Sequence, residues 1–569
     1  MSFKEKKNTV SEYITKKISD LGVKYIFGYQ GSNISIFIDT IAHRKDLEYF
    51  QTYHEQGSAF AANGYSQSSG LLGVAAVSSG PGALNLITGI ANAYCDSIPT
   101  LFICGDLSRR YQKGNLKMRQ NGFQAIDIVS IVRPITKYAV EITSPDEIQH
   151  CLDKAIYEAT NGRKGPVLLS IPHWIQRAEF NFKENKDLKI SNNERVDILP
   201  LQKKVQEFIN KSKRPLILIG GGLSSKSTQL LLESFLERNP IPVVASLCGL
   251  SSLSHEHPCY IGFIGDYGKR YANIALKATD CLLVLGSRLD ERQTGFLNEN
   301  SENKKIIHVD IDESELQDET NNYLPILSNI NTFLNSFPSY QNDFNLLNKW
   351  RDYLILLKNN KIGSINNKFT PSFLMNLITK NLNEGSQIFV DVGLHQMCVA
   401  QFSEVTNLIK IFFSGGLGSM GYALPASIGG YLANPNLQTI AIVGDGGFMM
   451  SLNELQSIAR DKLNIKIFIF NNFSLGLVKD YQIKALDGFT IGTVDGYIPG
   501  DFQKISSTFS MDYFKLTNII TNEEMKEILF KKGPAIIEVI FQDEMSVYLE
   551  QANIPPYDEE LQNIINYIV

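Results

Sequence analysis

An α/β protein of three doubly wound parallel-sheet domains is predicted from three observations on the 569-residue chain. Short apolar, largely β-branched runs recur along its length: GVAAVSS, TLFICG, GPVLLSIP, RPLILIGGG, CLLVLGS, KKIIHVDI, QIFVDVG, TIAIVGDGG, IKIFIFNN and AIIEVIFQ. They are apolar at consecutive positions, the pattern of strands covered on both faces, and helical patterns separate them, as parallel connections require. Two stretches break this rhythm and read as linkers, FNFKENKDLKISNNERVD at 181–197 and FPSYQNDFNLLNKW at 337–350. The resulting domains are 1–180, 195–340 and 360–569, in keeping with roughly 100–200 residues per domain. No internal sequence repeat is evident, although blocks of similar size are candidate structural relatives.

Composition narrows the function. Hydrophobic residues make up 43% and charged residues 20%, values of a globular chain with ample core. A net charge of −5 and the lack of a basic block speak against nucleic-acid binding. The start, MSFKEKKNTVSEYITKKI, has no apolar signal core, and no apolar stretch approaches the ~20 residues of a membrane span. Seven scattered cysteines, with no CxxC pair, fit reduced thiols and a cytoplasmic location.

In the first domain, YHEQGSAFAANGYS sets Glu55 before Gly57, Ser58, Ala59, Ala61, Ala62 and Gly64. This is the composition of a tightly packed helix that carries a carboxylate into an interface; a glutamate placed favourably at a helix N-terminus is the plainer reading. In the central domain, RPLILIGGG puts Gly220, Gly221 and Gly222 at a strand end, suited to close approach of a phosphate or simply to a turn. In the third, AIVGDGG ends a strand on Asp445, and IKIFIFNN ends another on Asn471 and Asn472, 27 positions from Asp445. Ligands of doubly wound sheets lie beyond the carboxyl ends of the strands, so these oxygens converge if the strands are neighbours. Gly444, Gly446 and Gly447 let the backbone turn sharply and present N–H groups to an anion. Hard oxygens beside such a loop suit Mg²⁺; a glycine-rich turn with a capping aspartate is the alternative.

The GDG…NN spacing resembles the diphosphate motif of thiamine-diphosphate enzymes, in which the Asp, the second Asn and a backbone carbonyl two residues on, here Ser474, hold the metal. YHEQGSAFAANGYSQSSG, SSGPGALNLITGIANAYCDSIP, GFQAIDIVSIVRPITK and NGRKGPVLLSIP resemble the pyrimidine-binding domain of the acetohydroxyacid synthase (acetolactate synthase) family. GLHQMCVAQ and SGGLGSMGYALPASIGG resemble its diphosphate domain, and LGSRLDERQTG resembles the flavin-binding stretch of its FAD-containing branch. The matches follow the family's order over nearly the whole chain.

The resemblance implies thiamine diphosphate, Mg²⁺ and a mostly structural, non-redox FAD. It puts Glu55 on the glutamate that activates the aminopyrimidine, and Met420 on the apolar residue that props the cofactor into a V. Gly418 falls on the carbonyl that accepts the aminopyrimidine N–H, His395 on a diphosphate-side histidine, and Phe123 and Gln124 on the pair beside the reacting carbon. Arg163, Arg288 and Arg292 fall on FAD contacts and Asp310 on an acidic adenosine contact. Each site is expected between two subunits of a homodimer or homotetramer.

Departures cluster on the acceptor side. FGYQGSNISIF places Tyr29-Gln30-Gly31-Ser32-Asn33 where the family has Tyr-Pro-Gly-Gly-Ala. Asn33 thus brings an amide towards the second substrate, or is simply a turn residue. Tyr481 replaces a tryptophan, His173 a channel lysine and Leu394 a glutamine beside the diphosphate. Buried polar groups discriminate substrates strongly. The expected function is a carboligase that decarboxylates pyruvate and transfers the two-carbon unit to a second carbonyl. Alternatives are transfer to a nucleotide-linked keto-deoxysugar, a 2-oxo acid decarboxylase or oxidase, and a silent regulatory subunit, against which the intact Glu55, Asp445 and Asn472 argue.

Overall fold

The computed structural model describes residues 9–107, 119–120, 122–180, 199–294, 304–337, 344–359, 368–406, 409–542 and 545. Within them lie three six-stranded sheets whose neighbouring strands all run parallel. The first contains β1 (Tyr25–Gly28), β2 (Glu48–Gln51), β3 (Gly73–Val77), β4 (Thr100–Asp106), β5 (Tyr138–Glu141) and β6 (Pro166–Pro172), in the order β2-β1-β3-β4-β6-β5. The central sheet holds β7 (Pro215–Ile219), β8 (Val243–Ala245), β9 (Tyr260–Phe263), β10 (Cys281–Leu285), β11 (Lys305–Asp310) and β12 (Tyr323–Leu327), ordered β12-β11-β10-β7-β8-β9. In the third, β13 (Gln387–Val390), β14 (Lys410–Phe413), β15 (Thr439–Gly444), β16 (Ile465–Phe470), β17 (Asp512–Leu516) and β18 (Ala535–Val539) follow the order β14-β13-β15-β16-β18-β17. The outer two sheets therefore share one winding and the central sheet has another.

The apolar runs form the inner strands, and β3, β7, β10, β15, β16 and β18 are buried at every position, as two-faced cover requires. The central domain has a core of its own, whereas one continuous apolar cluster joins the first and third. Two helices form the middle of that joint, Glu55–Ser69 after β2 and Ala423–Ala433 after β14. Their backbones meet through small residues: a Cβ on Gly64 would lie 2.7 Å from the Ala426 carbonyl carbon, and one on Gly429 would lie 2.7 Å from that of Ala61. Only glycine permits such an approach.

The expected linker at 337–350 is helical in its latter part, while residues 338–343 lie outside the described residues. Residues Phe344–Asn359 form a helix, with Leu347, Trp350 and Leu354 buried in the central core and the Trp350 indole N–H donating to Pro215 O at 3.0 Å. Apolar residues three and four apart outweigh the polar composition of this stretch. The other expected linker, 181–197, lies outside the described residues. Among the described residues no helix is long and apolar enough to cross a membrane, and all seven cysteines are free thiols.

Candidate active site

Strands β15 and β16 are neighbours, with Gly444 opposite Phe470, so Asp445 and the two asparagines leave the sheet side by side. Asp445 starts the short Asp445–Met450 helix and is 2% exposed. The Asn472 side-chain amide lies against Asp445 Oδ1 at 3.2 Å and the Ser474 carbonyl oxygen at 2.7 Å. The two ends of an amide interchange by a half-turn, so this side chain donates to both oxygens without a cation and would join them as a third oxygen around one. Asp445 Oδ2 is buried without a hydrogen-bond partner, a large desolvation cost for a carboxylate unless a ligand meets it. Burial pushes Asp445 up to about 6. Among the described residues no three His, Cys, Asp or Glu side chains gather as a metal cluster. The oxygens here comprise one carboxylate, one amide and one carbonyl, a set that fits Mg²⁺ completed by phosphate and water.

The paired asparagines divide the work. Asn471 turns away and donates through Nδ2 to the buried Glu538 at 2.6 Å, while its Oδ1 accepts from Phe473 N–H at 3.2 Å. Tyr513 and Lys515 approach the other Glu538 oxygen. The turn that presents Asn472 is thus tied to β18. Tyr497 stands beside Asp445, and burial, then the neighbouring carboxylate, raises its phenol.

The three glycines serve close packing rather than left-handed turns, since none has positive φ. A Cβ on Gly444 would come 3.0 Å from the His395 ring, one on Gly447 2.8 Å from Asp391 Oδ1, and one on Gly446 would overlap Leu475. His395 is buried, its Nε2 has no partner, and burial pushes it down to about 3, so the ring is neutral. Asp391, at the end of β13, accepts the N–H groups of Gly421 at 2.9 Å and Ala423 at 3.0 Å and so fixes the turn that carries Met420. Gly418, with φ of +72° and open space beside it, begins that turn, and Met420 leans over Gly446, its Cε 3.6 Å from where a Cβ would stand. Leu394 packs on Gly476.

A second cluster gathers around the turn after β3. Glu55 Oε2 accepts from Asn85 Nδ2 at 2.9 Å, and a Cβ on Gly82 would lie 3.2 Å from Oε1. Gln124, held at φ +63°, packs on Gly80 of the same turn. Asn33 is more than a turn former: its Nδ2 donates to Ser79 Oγ at 2.6 Å, and Gln176 Nε2 donates to its carbonyl at 2.8 Å. His173 opens the four-residue helix that carries Gln176; burial and then Arg177 push it below the usual range. Phe123 and Tyr481 stand out from the chain, 85% and 61% exposed. Glu55 keeps partners of the first domain and Asp445 those of the third.

A cavity of about 430 Å³, within the range of cofactor pockets, lies where the three domains meet. Gly221, Gly222, Arg288, Arg292, Asp310 and Arg163 line it. Arg288 reaches Asp290 only loosely, at 3.9 Å, and Arg292 lies over the Tyr267 ring. Arg163, by contrast, is held by Ser97 Oγ at 3.0 Å, Asp312 at 3.0 Å and Glu315, so two carboxylates already neutralise it. Gly220 does not line the cavity; it packs on Gly286. Asp310 ends β11, and burial raises its carboxyl.

The sequence reading missed Asp391, Glu454 and Glu538, all buried carboxylates. Asp391 carried the same signal as Asp445, an acid at the carboxyl end of an apolar run. Glu454 and Glu538 carried none, since their partners are distant in sequence.

Three family models match the chain in order: the N-terminal TPP binding domain of thiamine pyrophosphate enzymes over residues 8–131, the central domain over 202–337 and the C-terminal TPP binding domain over 391–539. The acetolactate synthase large subunit of Lactococcus lactis subsp. lactis is 34% identical over 548 residues, spanning 94% of this chain and 93% of that protein. That of Cyanidium caldarium is 33% identical over 552 residues, 92% of each. A probable acetolactate synthase large subunit of Methanocaldococcus jannaschii is 33% identical over 554 residues, 93% of this chain and 91% of that one.

Proposed function

The chain belongs to the thiamine-diphosphate-dependent, acetolactate-synthase-like enzymes, which decarboxylate and carboligate, and we propose that its residues divide that reaction as follows. When bound, thiamine diphosphate supplies the nucleophilic carbon that a 2-oxo acid needs to lose CO₂ and pass on its remaining carbons. Asp445, Asn472 and the Ser474 carbonyl hold Mg²⁺ and, through it, the diphosphate. Neutral His395 offers Nε2 to the same end. Gly418 and Met420 support the middle of the cofactor. Glu55 bonds a ring nitrogen of the aminopyrimidine and holds or returns its proton. Phe123, Gln124, Asn33, His173 and Tyr481 bound the space for substrates, pyruvate as donor and a carbonyl compound as acceptor.

Glu55 and Asp445 have separate partners in one chain, and apolar side chains stand exposed at Phe123, Phe473 and Tyr481. Both features support a homodimer or homotetramer in which Glu55 of one subunit serves the cofactor held by Asp445 of another. Arg288, Arg292, Asp310, Gly221 and Gly222 suit the phosphates and adenosine of a non-redox FAD, with Arg163 closing the wall as an interdomain ion pair. The convergence of Asp445, the Asn472 amide and the Ser474 carbonyl carries the reading.

The test incubates purified protein with Mg²⁺, thiamine diphosphate, FAD and pyruvate and quantifies CO₂ and acetolactate together. Two CO₂ cannot leave per acetolactate, because the acceptor pyruvate keeps its carboxylate; one CO₂ per acetolactate supports a pyruvate acceptor. The Asn33–Ser79 amide contact favours a second reading, a more polar acceptor such as a nucleotide-linked keto-deoxysugar. Slow CO₂ release with little acetolactate would support it, and no pyruvate-dependent CO₂ at all would refute both.

A further inference from the structure

Beyond the metal-site helix the chain carries a buried carboxylate that the assignments above leave unused. Glu454 closes the short turn Leu452–Glu454 between the Asp445–Met450 and Leu455–Arg460 helices and is 1% exposed. A carboxylate so deeply buried needs partners, and they are specific. Tyr53 N–H donates to Oε1 at 3.1 Å with Oε2 at 3.3 Å, Asn453 Nδ2 donates to Oε1 at 3.0 Å, and the Ser457 hydroxyl donates to Oε2 at 3.2 Å. The carboxyl lies flat on Gly57, where a Cβ would stand 2.7 Å from Glu454 Cδ. Tyr53 and Gly57 flank Glu55, two residues to either side. The strap extends further, with Arg460 donating to Gln51 O at 2.9 Å and Ser457 Oγ to the same carbonyl at 3.3 Å.

We propose that Glu454 is a positioning residue for Glu55, gripping the turn that begins the Glu55–Ser69 helix and fixing the direction in which the Glu55 carboxylate leaves it. The inference rests on the role assigned to Glu55 above. Two features separate it from plain interdomain packing. Tyr53 N–H can only donate and lies within 3.3 Å of both carboxylate oxygens, so an amide of the same shape would set its N–H₂ near that donor whichever way it turned. The gripped positions also bracket the first turn, Tyr53 N–H just before it and Gly57 within it, where a small rotation moves the Glu55 side chain most, and misplacement of a catalytic group by about 1 Å lowers rates on the order of 100-fold. Burial pushes Glu454 up to about 7, against the pull of the Tyr53 N–H.

The test compares full-length wild type with Glu454→Gln, Gly57→Ala and Glu55→Gln. Gly57→Ala pushes the same grip from the opposite side and adds a residue that favours helix, which guards against a variant that merely unfolds. In cofactor-free protein, amide hydrogen exchange by mass spectrometry should quicken in the peptide around 50–58 in both Glu454→Gln and Gly57→Ala, and stay unchanged in β3. With thiamine diphosphate and Mg²⁺ but no pyruvate, exchange of the cofactor's C2 proton for deuterium should slow on the order of 10- to 100-fold in both, with cofactor affinity retained. Wild-type exchange around 50–58 overturns the proposal. So does unslowed C2 exchange in Glu454→Gln while Glu55→Gln is slow. If Glu55→Gln itself exchanges C2 at the wild-type rate, the role given to Glu55 falls, and the inference with it.

Discussion

Replacing Gly429 by alanine puts a methyl group into the seam between the two helices that join the first and third domains. The new carbon would stand 2.7 Å from the Ala61 carbonyl carbon and 2.7 Å from Tyr65 N. Carbon contacts are comfortable at roughly 3.5–4.0 Å, so the helices must part by about 1 Å, a gap that forfeits up to half of each contact well along the seam. Overpacking of this kind costs about 1–3 kcal/mol, and the rigid backbone target places it at the upper end. At about 2–4 °C per kcal/mol for a domain of this size, the melting temperature should fall by roughly 5–10 °C. Thermal unfolding of the cofactor-free protein, followed by circular dichroism, measures it. Gly64→Ala attacks the same seam from the facing helix and should match; the double variant should lose less than the sum, because the first methyl has already opened the gap. Gly70→Ala is the control: φ is +76° but no atom lies within 4 Å of its Cβ, so only backbone strain of about 1 kcal/mol applies. A Gly429→Ala protein that melts with the wild type would refute the close approach of these helices.

Glu55→Gln should abolish turnover while leaving Mg²⁺-dependent cofactor binding intact, read by CO₂ release and by calorimetric titration; undiminished turnover would remove the mechanism. Asp445→Ala should lose Mg²⁺-dependent cofactor binding, and Glu538→Gln, which acts only through Asn471, should weaken it on the order of 10- to 100-fold in the same titration; equal losses would mean Glu538 supports the fold and not the metal turn. Asp391 bears on pH. Burial raises its carboxyl from 3.8 to about 6, so the folded state holds this proton more tightly than the unfolded chain does. Its favourable contribution is present below about pH 4 and is lost as the pH rises through about 6, on the order of 3 kcal/mol. The melting temperature of wild type minus that of Asp391→Asn should therefore fall between pH 4 and 7, and a flat difference would contradict it.

The ten apolar runs that stand out in the sequence are all strands, β3, β4, β6, β7, β10, β11, β13, β15, β16 and β18. What escaped notice is physically coherent. All six edge strands are missing, β2 and β5, β9 and β12, β14 and β17. An edge strand has one neighbour and one half-open flank, so its residues need not be apolar; every position of β5 is half-exposed. The other two omissions, β1 and β8, are only four and three residues long. The convergence of Asp445 and Asn472 was legible because both follow adjacent strands at fixed offsets from glycines. The supports behind it were not, because Glu538 meets Asn471 and Glu454 meets Tyr53 across separations no local pattern reveals. Arg163 shows the opposite limit, a matching residue whose charge proves to be taken up by Asp312 and Glu315.

The outer sheets share one strand order, and the helices that join them follow the second strand in each. Each helix presents an Ala-x-x-Gly step, Ala61 to Gly64 and Ala426 to Gly429, with the glycine of one against the alanine of the other. That is the contact a two-fold axis generates, the same patch meeting itself. The two domains thus face each other as the halves of a dimer would, each presenting the same step to the other. The turn after β3 and the turn after β15 hold the same place in the two strand orders. The first surrounds the Glu55 carboxylate, and the second bears Asp445, so the two acids proposed for opposite ends of one cofactor lie at equivalent turns.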